Sequence, residues 1–179
     1  GFSLADKCAY VAGHSLGEYS ALAAVGSFAL ADAARLLRRR GLAMQLAVPL
    51  GEGAMAALLG VDLDTAVAIA KDAAEGDVCS AANDNAPGQV VISGARAAVM
   101  RAMALAPEQG AKRCIELPVS APFHCALMTP AAEVMRDALA DTTIAPPAVP
   151  LVANVTARAE SDPGQIPINL VEQVTAMVR

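Results

Sequence analysis

Apolar residues recur along this chain in two rhythms, and the points where one gives way to the other mark its elements. Residues 8–12 form a short apolar run that ends at Gly13, and 16–25 carry a helical pattern closed by Gly26. Strand, sharp turn and helix are expected in that order. A second helix is expected over 31–48, with Ala33, Leu37, Met44 and Val48 on its apolar side and Arg35, Arg38, Arg39 and Arg40 near its middle, before Pro49, Gly51 and Gly53 interrupt it. From 53 to 117 the rhythm changes: strand 54–59, helix 63–74, strand 78–83, then strand 89–93, helix 95–105 and strand 111–117, with Pro87-Gly88 turning between the halves. That order, β-α-β-β-α-β, is the split pattern of a ferredoxin-like subdomain. It is assigned to residues 51–117, inserted into an α/β core made of 1–50 and 118–179. The core continues through a Pro-bearing loop over 118–124, a helix over 126–139, a Pro-rich connection over 145–150, a strand over 151–155 and a helix over 170–179. No strand precedes Cys8 and no cap follows Arg179, so the core is expected to be truncated at both ends.

Composition agrees with a folded α/β chain. Of 179 residues 55% are hydrophobic and 17% charged, far from a disordered composition, and with 3% aromatics the core must be packed with small aliphatic side chains. A net charge of −5 and thirteen Lys and Arg without a basic stripe argue against a nucleic-acid partner. Cys8, Cys79, Cys114 and Cys125 are scattered and only two His are present, so no metal site and no disulfide framework are expected. No apolar run reaches the roughly 18 residues of a membrane span, and the start lacks the basic region of a signal peptide, so membrane insertion is not expected, while the scattered cysteines point to a reducing cytoplasm.

The candidate chemistry lies where the first strand meets the first helix. Gly13 to Gly17 read Gly-His-Ser-Leu-Gly, the Gly-x-Ser-x-Gly elbow that presents a serine on a strained turn. Small residues at Gly13 and Gly17 would let the turn close, and Ser15 would stand at a helix N-terminus with the Leu16 N–H free to receive an oxyanion. Serine also caps helices, so the five residues alone leave a capping role open. A serine hydroxyl needs a base, and histidine suits that work near neutrality. His14 sits inside the turn beside Ser15, which leaves His124, in the loop after Pro118 and Pro122. Asp84 or Glu116 could orient the imidazole, as could a backbone carbonyl, and nothing in the sequence separates them.

Four blocks, GHSLGEYSALAAVG, RRRGLAMQ, NDNAPGQVVISG and APFHCALM, in this order and spacing resemble the malonyl-CoA:acyl carrier protein transacylases of bacterial fatty-acid synthesis over essentially the whole chain. The resemblance implies an α/β-hydrolase-like core with an inserted ferredoxin-like subdomain. It implies that Ser15 carries the acyl group as an ester, that His124 activates it and then protonates the leaving thiol, and that Leu16 lends its N–H to the oxyanion hole. It implies that Arg40 clamps the free carboxylate of malonyl, a task for which a planar guanidinium is better shaped than an ammonium. Asn154 falls at a family position near the active site, and Lys112 and Arg113 are candidate contacts for the carrier protein. The related polyketide acyltransferases often carry Phe before this histidine when malonyl is preferred, so the resemblance implies that Phe123, which leaves less room for a branching methyl, favours malonyl. The family's glutamine-bearing GQG motif, a second oxyanion donor, falls upstream of this sequence, and the segment that orients the histidine is expected downstream of Arg179.

The partners so implied are malonyl-CoA and acyl carrier protein, with no cofactor beyond these substrates and a monomeric enzyme. The alternatives are an acyltransferase domain of a polyketide synthase, a serine thioesterase or esterase with water as acceptor, and an inert carrier-protein-binding piece.

Overall fold

The computed structural model describes residues 3–179. Gly13 to Ser15 lead into helix α1 (Leu16–Ala24), which buries Tyr19 and Leu22. Helix α2 (Leu30–Leu46) follows with Ala33, Leu36, Arg40 and Met44 inward. That spacing of three and four residues is one helical stripe, so Arg40 occupies a place where the pattern would otherwise put an aliphatic side chain. The stripe runs through Leu36, while Leu37, expected on the apolar side, is only partly buried beside it.

Strand β1 (Gly53–Leu59), helix α3 (Leu63–Ala74), strands β2 (Cys79–Ala86) and β3 (Gln89–Ala95), helix α4 (Arg96–Leu105) and strand β4 (Arg113–Glu116) form one unit. The strands make a sheet in the order β2-β3-β1-β4, with every neighbouring pair antiparallel. Alternation sends Ala54, Ala56, Leu58, Val90 and Ile92 to one face, under α3 and α4, and Met55 and Val91 to the other, toward Leu117 and Phe123. Asp62 starts α3 by accepting the Thr65 N–H at 2.9 Å, the usual service of an N-cap carboxylate.

Beyond the sheet come helix α5 (Thr129–Ala140), the two-stranded ribbon β5 (Leu151–Val152) and β6 (Ala159–Glu160), and helix α6 (Gln165–Glu172). Tyr19, Leu22, Met128, Met135, Leu151 and Leu170 join these elements to α1 and α2 in a second apolar cluster. Phe123 packs against both this cluster and the sheet's second face.

Three elements differ from the sequence expectation. The strand over 8–12 contracts to a single parallel bridge, Val11 to Leu151, because its ladder partner among the described residues is the two-residue β5. The strand over 151–155 stops at Val152 for the same reason, since Asn154 is drawn into side-chain bonds around Ser15. The last helix lies earlier than 170–179: Pro167 is accommodated in the first turn of α6, where its missing N–H costs nothing, and 173–179 turn away to meet β2 at the bridge Val178 to Asn83. No helix among the described residues is long and apolar enough to cross a membrane.

Candidate active site

Ser15 sits at the N-cap of α1 with φ 53° and ψ −108°, a conformation L-residues avoid. Gly13 makes the turn possible, since a Cβ there would run into the Gly17 carbonyl. Gly17 is different from the expectation: a Cβ on it would meet open space, so the turn itself does not demand glycine at that position. The strained serine is held through its backbone. Its N–H donates to Asn154 Oδ1 at 2.7 Å, while Asn154 Nδ2 donates to the Gly13 carbonyl at 2.8 Å, so one carboxamide bridges both sides of the turn. The Leu16 N–H finds no acceptor among the described residues and points from the positive end of α1.

Ser15 Oγ lies 2.8 Å from His124 Nε2, across 109 residues of sequence. The other ring nitrogen, Nδ1, is 2.8 Å from the Gln173 carbonyl oxygen. A carbonyl can only accept, so Nδ1 carries the proton and Nε2 is left to take the one from Ser15. His124 is 4% exposed and also has positive φ, 60°. Burial, with the Arg40 charge adding to it, pushes its pKa down to about 4, so the imidazole is neutral and basic at physiological pH.

Asp84 and Glu116 do not reach the imidazole: Glu116 pairs with Arg96 at 2.7 Å and Asp84 lies on β2, its N–H donating to the Val178 carbonyl. The orienting group is Gln173, which lies within this chain. The expectation that the segment falls beyond Arg179 is therefore corrected. A lone Gln among the apolar residues at the end of α6 carries no spacing signal that announces it.

Arg40 is 6% exposed and reaches the serine from α2. Its Nη2 donates to Ser15 Oγ at 2.9 Å and to Gln173 Oε1 at 3.0 Å, and its guanidinium carbon stands 5.9 Å from the centre of the Tyr19 ring. No carboxylate among the described residues forms an ion pair with it, and its Nε is buried without a partner. A buried cation without an acidic partner beside the Ser15 hydroxyl has the chemistry to receive an anionic group. Glu18, on the buried face of α1, was also missed, although its place four residues before Leu22 on that face could have shown it.

The remaining candidates stand apart. His14 Nε2 lies 3.1 Å from Asn85 Oδ1, at the hairpin between β2 and β3, and takes no bond with the serine hydroxyl. Lys112 and Arg113 are exposed at the start of the edge strand β4, with no hydrogen bond to the Ser15 cluster. A groove of about 740 Å³ between α5 and α6, lined by residues such as Leu139, Ile144 and Val171, touches none of this machinery. No group of His, Cys, Asp and Glu suited to a metal occurs among the described residues.

Residues 5–173 match the family described as the acyl transferase domain. The chain belongs to that family. It is 50% identical over 169 residues to the malonyl CoA-acyl carrier protein transacylase of Haemophilus influenzae, covering 94% of this chain and 54% of that protein. It is 47% identical over 171 residues to the protein of the same name from Bacillus subtilis, covering 95% and 54%. Among solved structures it superposes on the acyl-carrier-protein-S-malonyltransferase of Bartonella henselae with a TM-score of 0.96 and 55% identity, over 100% of this chain and 57% of that one. It also superposes, with a TM-score of 0.93 and 43% identity, on a malonyl-transacylase in complex with a type II polyketide acyl-carrier protein, over 96% of this chain and 55% of that one. The chain thus spans about half the length of the curated relatives it matches.

Proposed function

We propose that this chain carries the active site of an enzyme that moves malonyl from coenzyme A to the phosphopantetheine thiol of acyl carrier protein, through an ester on Ser15, for fatty-acid synthesis in the cytoplasm. The observation that carries this reading is the buried Arg40 guanidinium, without an acidic partner, at 2.9 Å from the nucleophile. It supplies a fixed cation, whose planar guanidinium suits a carboxylate, within reach of the nucleophile.

The steps follow from the hydrogen bonds. As Ser15 Oγ attacks the thioester carbonyl its proton passes to His124 Nε2, and the Leu16 N–H and the dipole of α1 stabilise the oxyanion. Collapse breaks the carbon–sulfur bond, and His124 returns the proton to the departing coenzyme A thiolate. The carrier thiol then gives its proton to His124 and attacks the seryl ester by the reverse route. Charge on His124 is transient, and the Gln173 carbonyl and Asn154 keep imidazole and turn in register while it appears.

The reading invokes no metal or redox cofactor and a monomeric enzyme, with Lys112 and Arg113 offered to an acidic carrier protein. Two apolar clusters support dividing the chain into a hydrolase-like core, 1–50 with 118–179, and a ferredoxin-like subdomain, 51–117, between which Phe123 and His124 lie. The polyketide alternative keeps the same chemistry and is favoured by one observation, the likeness to a transacylase bound to a polyketide carrier protein.

The test is substrate selection. Arg40→Ala should lower Ser15 acylation by malonyl-CoA by about a hundredfold, the scale of a lost charge-assisted pair, while acylation by acetyl-CoA survives or improves. Equal loss with both thioesters would remove Arg40 from carboxylate binding.

A further inference from the structure

We infer that Glu18 is a positioning residue: it fixes which end of the Gln173 carboxamide faces Arg40, and so presents Arg40 to the substrate carboxylate, a role that rests on the transfer reading above. Gln173 is fully buried, and the two ends of its amide meet different company. Nε2 faces three acceptors, Glu18 Oε2 at 2.7 Å, the Ser15 carbonyl at 3.1 Å and Asn154 Oδ1 at 3.3 Å. Oε1 accepts from Arg40 Nη2 at 3.0 Å. Turned over, the amide would set donor against donor at Arg40 and acceptor against acceptor at Glu18.

Of the three acceptors, Glu18 is the closest and the only side chain with a carboxyl oxygen to give. It is 1% exposed, anchored in α1, and its Oε2 also takes the Asn154 N–H at 3.2 Å. Its Oε1 has no partner among the described residues, and burial raises its pKa. A proton resting on Oε1 would leave Oε2 free to accept, so the service Glu18 renders is that of an acceptor rather than of a charge. Glu18, Gln173, Arg40 and Ser15 thereby form one directed chain, and Gln173 holds His124 by its carbonyl at the same time.

Two variants separate acceptor from charge. Glu18→Gln keeps an oxygen for Gln173 and puts its NH2 where Oε1 has no partner; Glu18→Met removes the acceptor at similar volume. In ¹⁵N-labelled protein, with the Gln173 side-chain amide assigned by its loss in Gln173→Met, wild type and Glu18→Gln should both keep that amide slow to exchange with solvent. Glu18→Met should exchange it about tenfold faster and lower the preference for malonyl over acetyl at Ser15 by about tenfold, the scale of one lost hydrogen bond. Glu18→Gln should stay within about threefold of wild type in preference, the residual cost of an unpaired buried NH2. The inference is overturned if Glu18→Gln loses protection or preference, or if a folded Glu18→Met keeps both. Should Glu18→Met fail to fold, the Glu18→Gln result decides alone. A wild type that takes no malonyl at Ser15 would sink the transfer reading instead, with the amide exchange still deciding whether Glu18 places Gln173.

Discussion

Ser15 and His124 both hold backbone conformations that cost energy, with φ of 53° and 60°, and both are pinned by partners remote in sequence. Asn154 fixes the Ser15 N–H and the Gln173 carbonyl fixes the imidazole, so the strain is spent on presenting Oγ to Nε2. The neutral imidazole has a measurable consequence. Its folded pKa, about 4, lies below the unfolded value near 6.5, so the native state resists protonation. His124 therefore contributes stability that is fully present above pH 6.5 and is lost as pH falls toward 4, a change on the order of 3 kcal/mol. Urea unfolding at pH 7 and pH 4.5 should show a smaller loss for His124→Asn than for wild type. The kcat/KM for malonyl-CoA should stay level down to about pH 5; an inflection near 6.5 would contradict a buried, desolvated base.

At the scale of elements, the turn before α1 makes opposite demands on its two glycines. Gly13→Ala should cost more than about 2 kcal/mol, because its Cβ meets the Gly17 carbonyl and the chain must shift. Gly17→Ala should be neutral or stabilise by up to about 1 kcal/mol, since the new methyl meets open space in the first turn of a helix. Thermal unfolding of the two variants checks the pair, and equal destabilisation would contradict it. Local pattern made much of this legible. The boundaries of α3 and β3 follow from period changes and from Pro87-Gly88, which need only neighbouring residues to act. The strands expected over 8–12 and 151–155 shrank because their length depends on pairing, which a strand's own pattern does not contain. The helical pattern alone leaves Arg40 among several arginines, and it is the family resemblance that singles it out, although its spacing from Leu36 and Met44 also places it on the buried stripe. Gln173 was invisible to any local rule, since its partners lie up to 158 residues away.

The whole molecule is needed for the site. Residues 13–18, Arg40, His124, Asn154 and Gln173 converge from separate elements, and hydrogen bonds over 109, 139 and 158 residues close the cluster. Such a site forms only when the α1, α2 and α6 cluster and the loop after β4 have packed together, so chemistry at Ser15 reports on the complete arrangement. Ser15 is expected to accept a malonyl group. Incubation with malonyl-CoA, acid quench, intact mass and peptide mapping test it directly, with Ser15→Ala alongside. The mass of one malonyl ester should appear on the peptide that contains Ser15, and none in Ser15→Ala. An unlabelled wild type, or a label that persists in Ser15→Ala, would contradict it.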